Sequence, residues 1–375
     1  MRFKTRLQQG EKKLMIKSNY TNLIDLNDMP SQWWLKIVRL ASDIFDDPSA
    51  YSKKCEGKIM ATLFYEPSTR TQMSFQAAML RLGGTLIGFD NPATSSVAKG
   101  ENLKDTTKIV SSYADIMVMR HPSEGAAKAA ALTADCPIIN AGDGSHLHPT
   151  QTLTDMLTLY REKGRLENLT IGLCGDLKNG RTVHSMCKAL AGFKDIRFVF
   201  ISTPELGMPQ YIKDILMAHG CAFTENPSLE DAIGSLDMLY MTRVQKERFA
   251  SEEEYNALKD VYRLDRKKLM KGRPDLIVLH PLPRVDEITM DVDDDPRAMF
   301  FKQARYGMFV RMALIMTILE NPKQSLPLLS GKEKSGICCS NPNCITRKES
   351  YLPKYFRGIG DLLECEYCDE RILGR

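Results

Sequence analysis

The segment Glu66-Pro67-Ser68-Thr69-Arg70-Thr71 sets two hydroxyl residues at the opening of a helical pattern and an arginine between two threonines. The first backbone N–H groups of a helix lack intrahelical partners and lie at the positive end of its dipole, so Ser68, Thr69, Arg70 and Thr71 together can hold a phosphate. A serine acting only as a helix cap needs neither Arg70 nor Thr71. Comparable residues follow other short apolar runs: Arg120 after DIMVM, His148 and Gln151 after PIIN, Arg181 after TIGLCGD, Arg243 and Gln245 after DMLYM, and HPLPR (280–284) after DLIVL. Guanidinium offers a planar two-pronged donor to carboxylate and phosphate oxygens. Arg70, Arg120, Arg181 and Arg243 therefore define a rim for small substrates that carry several negative charges.

A second chemistry lies in the tail. Of the ten cysteines, Cys339 and Cys344 are separated by four residues, Cys365 and Cys368 by two, and twenty residues lie between the pairs. Two close pairs at this separation set four thiolates tetrahedrally around Zn²⁺ in a closed, structural site with no position left for water. Cys338 is surplus to that set. With no secretory signal visible, the other cysteines (55, 136, 174, 187 and 221) are expected to be reduced thiols and the protein cytoplasmic.

The rim exists only if the apolar runs are neighbouring parallel strands, because ligands of open parallel sheets bind outside the carboxyl ends of the strands. The pattern supports this. From Ile59 short β-rich runs alternate with helical patterns: IMATLF, a helix carrying Met73, Ala77 and Leu80 at i, i+4, i+7 and closed by Gly83-Gly84, then TLIGF, DIMVM and PIIN. After a helix around Thr150 to Lys163 a second series begins, with NLTIGLCG, IRFVFIS, DMLYM and DLIVLHP. The chain is thus expected to be an α/β protein with two doubly wound parallel-sheet domains hinged near residue 150, plus a small zinc-bound β-rich C-terminal domain. The expected divisions are a basic extension over 1–17, domains over 18–150 and 151–302, a helix over 303–320 completing the first domain, a linker over 321–336 and the zinc-binding tail over 337–375.

Bulk properties narrow the function class. The 375 residues include 43% hydrophobic and 26% charged residues, and no apolar run is long enough to span a bilayer. A net charge of +4 with no dense basic and aromatic strip argues against a nucleic-acid-binding zinc ribbon. GLCGDLKNG (172–180) is glycine-rich after a strand but lacks the GxGxxG spacing and downstream acid of a nicotinamide dehydrogenase.

The motifs FYEPSTRTQMSF, MRHPSEGAA, NAGDGSHLHPTQTLTD, GDLKNGRTVHS, YMTRVQKERF and LHPLPRVDEI together resemble the catalytic chain of the aspartate carbamoyltransferases over about residues 18–320. The resemblance implies carbamoyl transfer from carbamoyl phosphate to L-aspartate, an early step of de novo pyrimidine synthesis, without a catalytic cofactor. It implies phosphate at Ser68, Thr69, Arg70, Thr71 and Arg120, and the carbonyl oxygen at Thr71, Arg120 and His148. It also implies the carbamoyl amide at Gln151, backed by Leu282 and Pro283, and the aspartate carboxylates at Arg181, Arg243 and Gln245. In that family Ser95 and Lys99 would reach the site of a neighbouring subunit in a homotrimer. An ornithine-using relative has cysteine where this chain has Pro281 and lacks the arginine pair, which favours aspartate. CSNPNCIT and CEYC resemble the zinc domain of the family's regulatory chain, but the nucleotide-binding domain that precedes it there has no counterpart here. The tail is therefore expected to contact a catalytic domain directly, and nucleotide regulation is not implied.

Overall fold

The computed structural model describes residues 16–243, 262–324 and 326–374. Apart from its last two residues, the basic extension 1–17 lies outside them. A short strand β1 (Ile16–Ser18) and helix α1 (Ser31–Asp46) precede the first sheet. That sheet is built from β2 (Ile59–Phe64), α2 (Thr69–Arg81), β3 (Thr85–Phe89), α3 (Leu103–Ser111), β4 (Ile116–His121), α4 (Ala126–Ala131) and β5 (Ile138–Asp143). Its strands are all parallel in the order β3-β2-β4-β5. Helices cover both faces, so β2 and β5 are almost wholly buried and read as continuous apolar runs rather than alternating ones.

Helix α5 (Pro149–Lys163) carries the chain to the second sheet. There follow β6 (Leu169–Cys174), α6 (Arg181–Leu190), β7 (Ile196–Ile201), α7 (Gln210–Ala218), β8 (Ala222–Glu225), α8 (Leu229–Ala232), β9 (Met238–Met241), α9 (Arg266–Leu269) and β10 (Ile277–Leu279). These strands are also parallel, in the order β10-β9-β6-β7-β8. The long helix α10 (Phe300–Glu320) then returns to the first layer and packs against α1, α2 and α5.

Both sheets reverse their winding direction once, between β2 and β4 in the first and between β6 and β9 in the second. At such a switch point neighbouring strands send their following loops apart and leave a crevice. The register brings Phe64 opposite Arg120 at the first crevice and Cys174 opposite Met241 at the second. Residues just beyond these pairs are therefore neighbours, however far apart they lie in sequence.

Three features depart from the sequence expectation. The stripe of Met73, Ala77 and Leu80 that marks α2 as a helix is not its buried face: Met73 is 62% and Leu80 58% exposed, whereas Phe75, Ala78 and Met79 are buried. Helix α2 carries two apolar stripes of helical period, and among the described residues only the one packed on α10 and β2 is buried. Strand β8 was not foreseen, because its mostly exposed sequence AFTE carries no apolar run at this sheet edge. The segment 321–336, expected as an irregular linker, contains β11 (Leu326–Leu329), which pairs antiparallel with β1, and β12 (Lys332–Glu333), which joins the tail.

The tail adds α11 (Ile345–Lys348), β13 (Tyr355–Ile359), β14 (Leu362–Cys365) and β15 (Arg371–Leu373), giving an antiparallel sheet β12-β13-β14-β15. It docks on the first domain of its own chain. Ile345, Tyr355 and Tyr367 share one apolar core with Met117, Ala126 and Ala130. The backbones of Glu124 and of Asn343 and Ile345 exchange hydrogen bonds of 2.9 Å, and Lys128 Nζ donates to the Glu366 carbonyl at 2.6 Å. Gly125, in the left-handed region at φ +83°, lies so close to Tyr367 that an added Cβ would sit 2.5 Å from its carbonyl oxygen.

Candidate active site and four-cysteine cluster

A cavity of about 720 Å³ opens where the carboxyl ends of the two parallel sheets meet. Ser68, Thr69, Arg70, Thr71, Arg120, His148, Gln151, Arg181, Arg243, Leu282 and Pro283 all line it. Ser95 and Lys99 do not; they sit on the exposed segment Pro92–Lys99, away from the cavity of their own chain. Gln245 lies outside the described residues.

Three helices point their N-termini into this space. The N-cap residues of α2, α5 and α6 are Ser68, His148 and Gly180, and none of the three supplies a side-chain cap. The first N–H groups of α2 and α6 thus remain available, whereas α5 begins with Pro149 and its Gln151 N–H donates to the His148 carbonyl at 3.0 Å; the dipoles of all three add positive potential. Arg70 is exposed to the cavity, and no protein group among the described residues pairs with it. Arg120 is held by Glu66 at 2.8 Å and donates to the Ala141 carbonyl at 3.2 Å. Arg181 donates to the Gly144 carbonyl across the gap between the domains. Backbone close approach shapes both crevices. Gly142 has φ +123° and an added Cβ would lie 2.8 Å from Arg120 Nη1; at Gly175, φ +113°, it would lie 2.6 Å from the Thr242 carbonyl oxygen.

Burial, reinforced by Arg181, Arg120 and Arg311, holds the His148 imidazole well below its usual pKa. It is neutral near pH 7 and has one N–H to donate. Two carboxylates line the cavity beyond the expected donors, and both are engaged: Glu66 with Arg120, and buried Asp176 with the amide and side chain of Asn179 at 3.0–3.2 Å. Uncapped helix ends, convergent guanidinium groups and a neutral imidazole equip the cavity to bind a polyanion and to stabilise charge developing on a carbonyl oxygen.

Several residues that hold this arrangement escaped the sequence reading. Asp155 is 1% exposed and accepts from Gln151 Nε2 at 2.8 Å, Gln303 Nε2 at 2.6 Å and Tyr240 Oη at 3.1 Å. It fixes the Gln151 amide with its NH₂ turned away from the cavity and ties α5, α10 and β9 together. The signal was its place one helical turn after Gln151. The wall at Leu282 and Pro283 is pinned by His280, whose Nδ1 accepts from Leu282 N–H at 2.8 Å while Nε2 donates to Glu287 at 2.8 Å. Arg311, within the buried run FVRMALI of α10, is a fifth arginine lining the cavity. A cation inside an apolar helical run was the signal for it.

Burial pushes the Asp155 carboxyl up to about 7, against the lowering effect of its three hydrogen bonds. An unfolded Asp ionises near ~3.9, so the folded chain keeps a proton that the unfolded chain has lost. This contribution to stability is full below about pH 4 and is lost as pH rises through about 7. Asp155→Asn, which cannot ionise, is expected to show a smaller fall in Tm between pH 5 and pH 8 than the unmodified chain. Melting curves at the two pH values check this, and parallel falls would contradict it.

The loop before His148 is joined to the tail. Asp143, 1% exposed, accepts from Gly125 N–H at 2.8 Å and Leu147 N–H at 3.0 Å. His146 bridges it, with Nδ1 3.0 Å from Asp143 and Nε2 3.0 Å from Asp369 of the tail. Burial opposes a charge there, but the two carboxylates push the imidazole up to about 10, so His146 is a cation at neutral pH. In the tail itself the four ligand sulfurs of Cys339, Cys344, Cys365 and Cys368 lie within 4.8 Å of one another, all buried. The Sγ–Sγ separations of 3.5 Å for Cys339–Cys368 and 3.8 Å for Cys344–Cys365 are too long for disulfides, which need ~2.05 Å. Four thiols converging on one point fit a tetrahedral metal ion.

The parallel sheets, the shared crevice and its convergent arginines define an α/β protein with a site for small anionic ligands. Residues 21–161 match the aspartate/ornithine carbamoyltransferase carbamoyl-phosphate-binding domain, 167–318 the Asp/Orn-binding domain, and 334–374 the metal-binding domain of the aspartate carbamoyltransferase regulatory chain. The aspartate carbamoyltransferase catalytic subunit of Clostridium novyi is 59% identical over 298 residues, covering 80% of this chain and 97% of that one. Among solved structures, the M. jannaschii catalytic subunit matches with a TM-score of 0.76 at 48% identity, covering 80% of this chain and 98% of its own. The Trypanosoma cruzi enzyme in complex with N-(phosphonacetyl)-L-aspartic acid matches with a TM-score of 0.75 at 39% identity, covering 81% and 96%. Another structure of that enzyme holds carbamoyl phosphate and aspartate. The chain belongs to the aspartate carbamoyltransferase family, with a metal-binding domain of the regulatory-chain type fused behind the catalytic domains.

Proposed function

We propose that this chain transfers the carbamoyl group of carbamoyl phosphate to the α-amine of L-aspartate, giving N-carbamoyl-L-aspartate and phosphate, an early step of de novo pyrimidine synthesis. The observation that carries this reading is the single cavity in which Arg70, Arg120, Arg181 and Arg243 converge with three uncapped helix N-termini. Phosphate is held by Ser68, Thr69, Arg70 and Thr71 at the α2 terminus, with Arg120 beside it. The carbonyl oxygen meets Thr71, Arg120 and the N–H of His148. Gln151 turns its amide oxygen to the carbamoyl NH₂, with Leu282 and Pro283 behind. Arg181, Arg243 and Gln245 hold the two carboxylates of aspartate.

The amine lone pair attacks the carbamoyl carbon, and negative charge moves onto the carbonyl oxygen. Preorganised donors stabilise that charge, each by about 3–4 kcal/mol in comparable oxyanion sites. The bond from carbon to the phosphate oxygen then breaks and the electron pair leaves with phosphate. The proton of the amine passes to the departing phosphate, a route supported by Glu66 and Asp176 both being engaged elsewhere. Because His148 is neutral it serves as donor, and His148→Ala should lower the catalytic rate by roughly 100-fold or more with a smaller effect on substrate affinity. Steady-state kinetics in both substrates check this; a change confined to KM would remove the role.

A homotrimer belongs to the same reading. It is supported by Ser95 and Lys99 lying outside their own cavity and by the exposed Met73 and Leu80 on α2, an apolar stripe of the kind that a second copy buries. The metal is read as structural Zn²⁺ on Cys339, Cys344, Cys365 and Cys368. A tetrahedral ion with ~2.3 Å bonds to sulfur needs sulfurs about 3.8 Å apart, close to the separations observed. A cytoplasmic location is supported by ten unbridged cysteines. Among the described residues no helix is long and apolar enough to cross a membrane. The test is formation of carbamoyl-aspartate from carbamoyl phosphate and L-aspartate, with L-ornithine as control and zinc measured on the same sample. Product from ornithine alone would overturn the assignment.

A further inference from the structure

We propose that Arg311 and Thr150 are positioning residues that fix the proton of His148 on Nε2, the nitrogen offered to the substrate. The proposal rests on the carbamoyl-transfer reading. Thr150 is fully buried, and its Oγ1 accepts from Arg311 Nη2 at 3.3 Å. The only other side-chain partner of that oxygen among the described residues is His148 Nδ1, at 3.4 Å. A hydroxyl carries one hydrogen. With the guanidinium donating to the oxygen, that hydrogen has Nδ1 as its acceptor, and a neutral imidazole that accepts at Nδ1 carries its proton at Nε2. The reverse assignment would have Nδ1–H donate and leave a buried hydroxyl hydrogen with no acceptor.

The surroundings agree with this direction. Arg311 is 5% exposed and has no carboxylate partner among the described residues. Its Nη1 donates to Ser74 Oγ at 3.1 Å, and the guanidinium lies 5.0 Å from the Phe75 ring centroid. One helical turn earlier stands Gly307, where an added Cβ would come within 2.5 Å of Nη1, so the sequence clears a path for this side chain. A buried guanidinium is costly, and it is placed where its fixed charge orients the Thr150 hydroxyl away from itself. On the far side of the ring, a Cβ built at Gly142 would lie 3.6 Å from His148 Cδ2 and 2.8 Å from Arg120 Nη1. The Cδ2–Nε2 edge therefore faces the Arg120 side of the cavity, where the carbonyl oxygen is read to sit.

Nitrogen-15 NMR of histidine-labelled protein, with His148 assigned by comparison with His148→Gln, reads the proton position directly. The unmodified chain is expected to show the Nε2–H tautomer, and Thr150→Val to show a mixture. Turnover in Thr150→Val should fall about ten- to a hundredfold with little change in aspartate KM or phosphate binding, and Thr150→Ser should restore most of it. Arg311→Gln should lose turnover similarly, and the double variant should be no worse than either single one. A proton on Nδ1 in the unmodified chain, or Thr150→Val within twofold of it, overturns the proposal. If the unmodified chain makes no carbamoyl-aspartate, the functional reading fails, while the spectra still judge the proton placement.

Discussion

Arg70→Ala is expected to lower turnover by about two to four orders of magnitude without loosening the fold. Arg70 makes no contact that holds the protein together: it is exposed to the cavity and unpaired among the described residues, so its removal leaves no buried partner unsatisfied. What is lost is a two-pronged donor to phosphate. Charge-assisted hydrogen bonds contribute about 1.5–3 kcal/mol each, and two of them give the range stated. The effect should fall mainly on kcat, since charge builds on the phosphate as its bond to carbon breaks. Arg70→Lys keeps the charge without the fork and should recover only part of the loss. Kinetics with both substrates, alongside thermal melting, provide the check. An alanine variant that keeps turnover within tenfold would show that the phosphate is held elsewhere, and one that melts well below the unmodified chain would show that Arg70 braces the fold.

Removing the metal, by chelation or by Cys365→Ser, should unfold the tail while leaving both parallel sheets intact. Apparent binding free energies of structural zinc are roughly 10–16 kcal/mol, far beyond what a sheet of four short strands supplies alone. Because Ile345, Tyr355 and Tyr367 share a core with Met117 and Ala126, loss of the tail should expose apolar surface on α4 and promote aggregation. The loop carrying Gly144 and His148 should feel the loss as well. His146 would lose Asp369, and Gly125, whose N–H holds Asp143, would lose Tyr367 above it. Turnover is therefore expected to drop severalfold in addition. Limited proteolysis, zinc content and activity on one sample test this. A Cys365→Ser chain with a protease-resistant tail would remove the metal from its structural role.

The chemistry of the site was largely legible in the sequence. Arginines, hydroxyls, a histidine and a glutamine stand directly after apolar runs, and parallel-sheet geometry requires such positions to share a rim. Arg120 came within one residue of its observed place, at the end of β4 rather than just beyond it. The supporting shell was not legible. Asp155 and Arg311 act through contacts between α5, α10, α2 and β9, which join residues up to 237 positions apart. Local patterns carry no record of such pairings. The α2 stripe shows the same limit from the other side: periodicity identified Met73 and Leu80 as apolar and co-facial, but the protein buries the neighbouring stripe.

The sequence by itself determined most of the buried strands and their helices, the hydroxyl- and arginine-rich opening of α2 and the four cysteines, because these depend on residue identity at short spacing. The tertiary structure alone decided that the tail sits on its own catalytic domain, that Asp155 orients Gln151 and that Arg311 stands behind His148. Those facts depend on which helix faces are brought together when two switch points meet, a property of the folded chain and not of any short stretch within it.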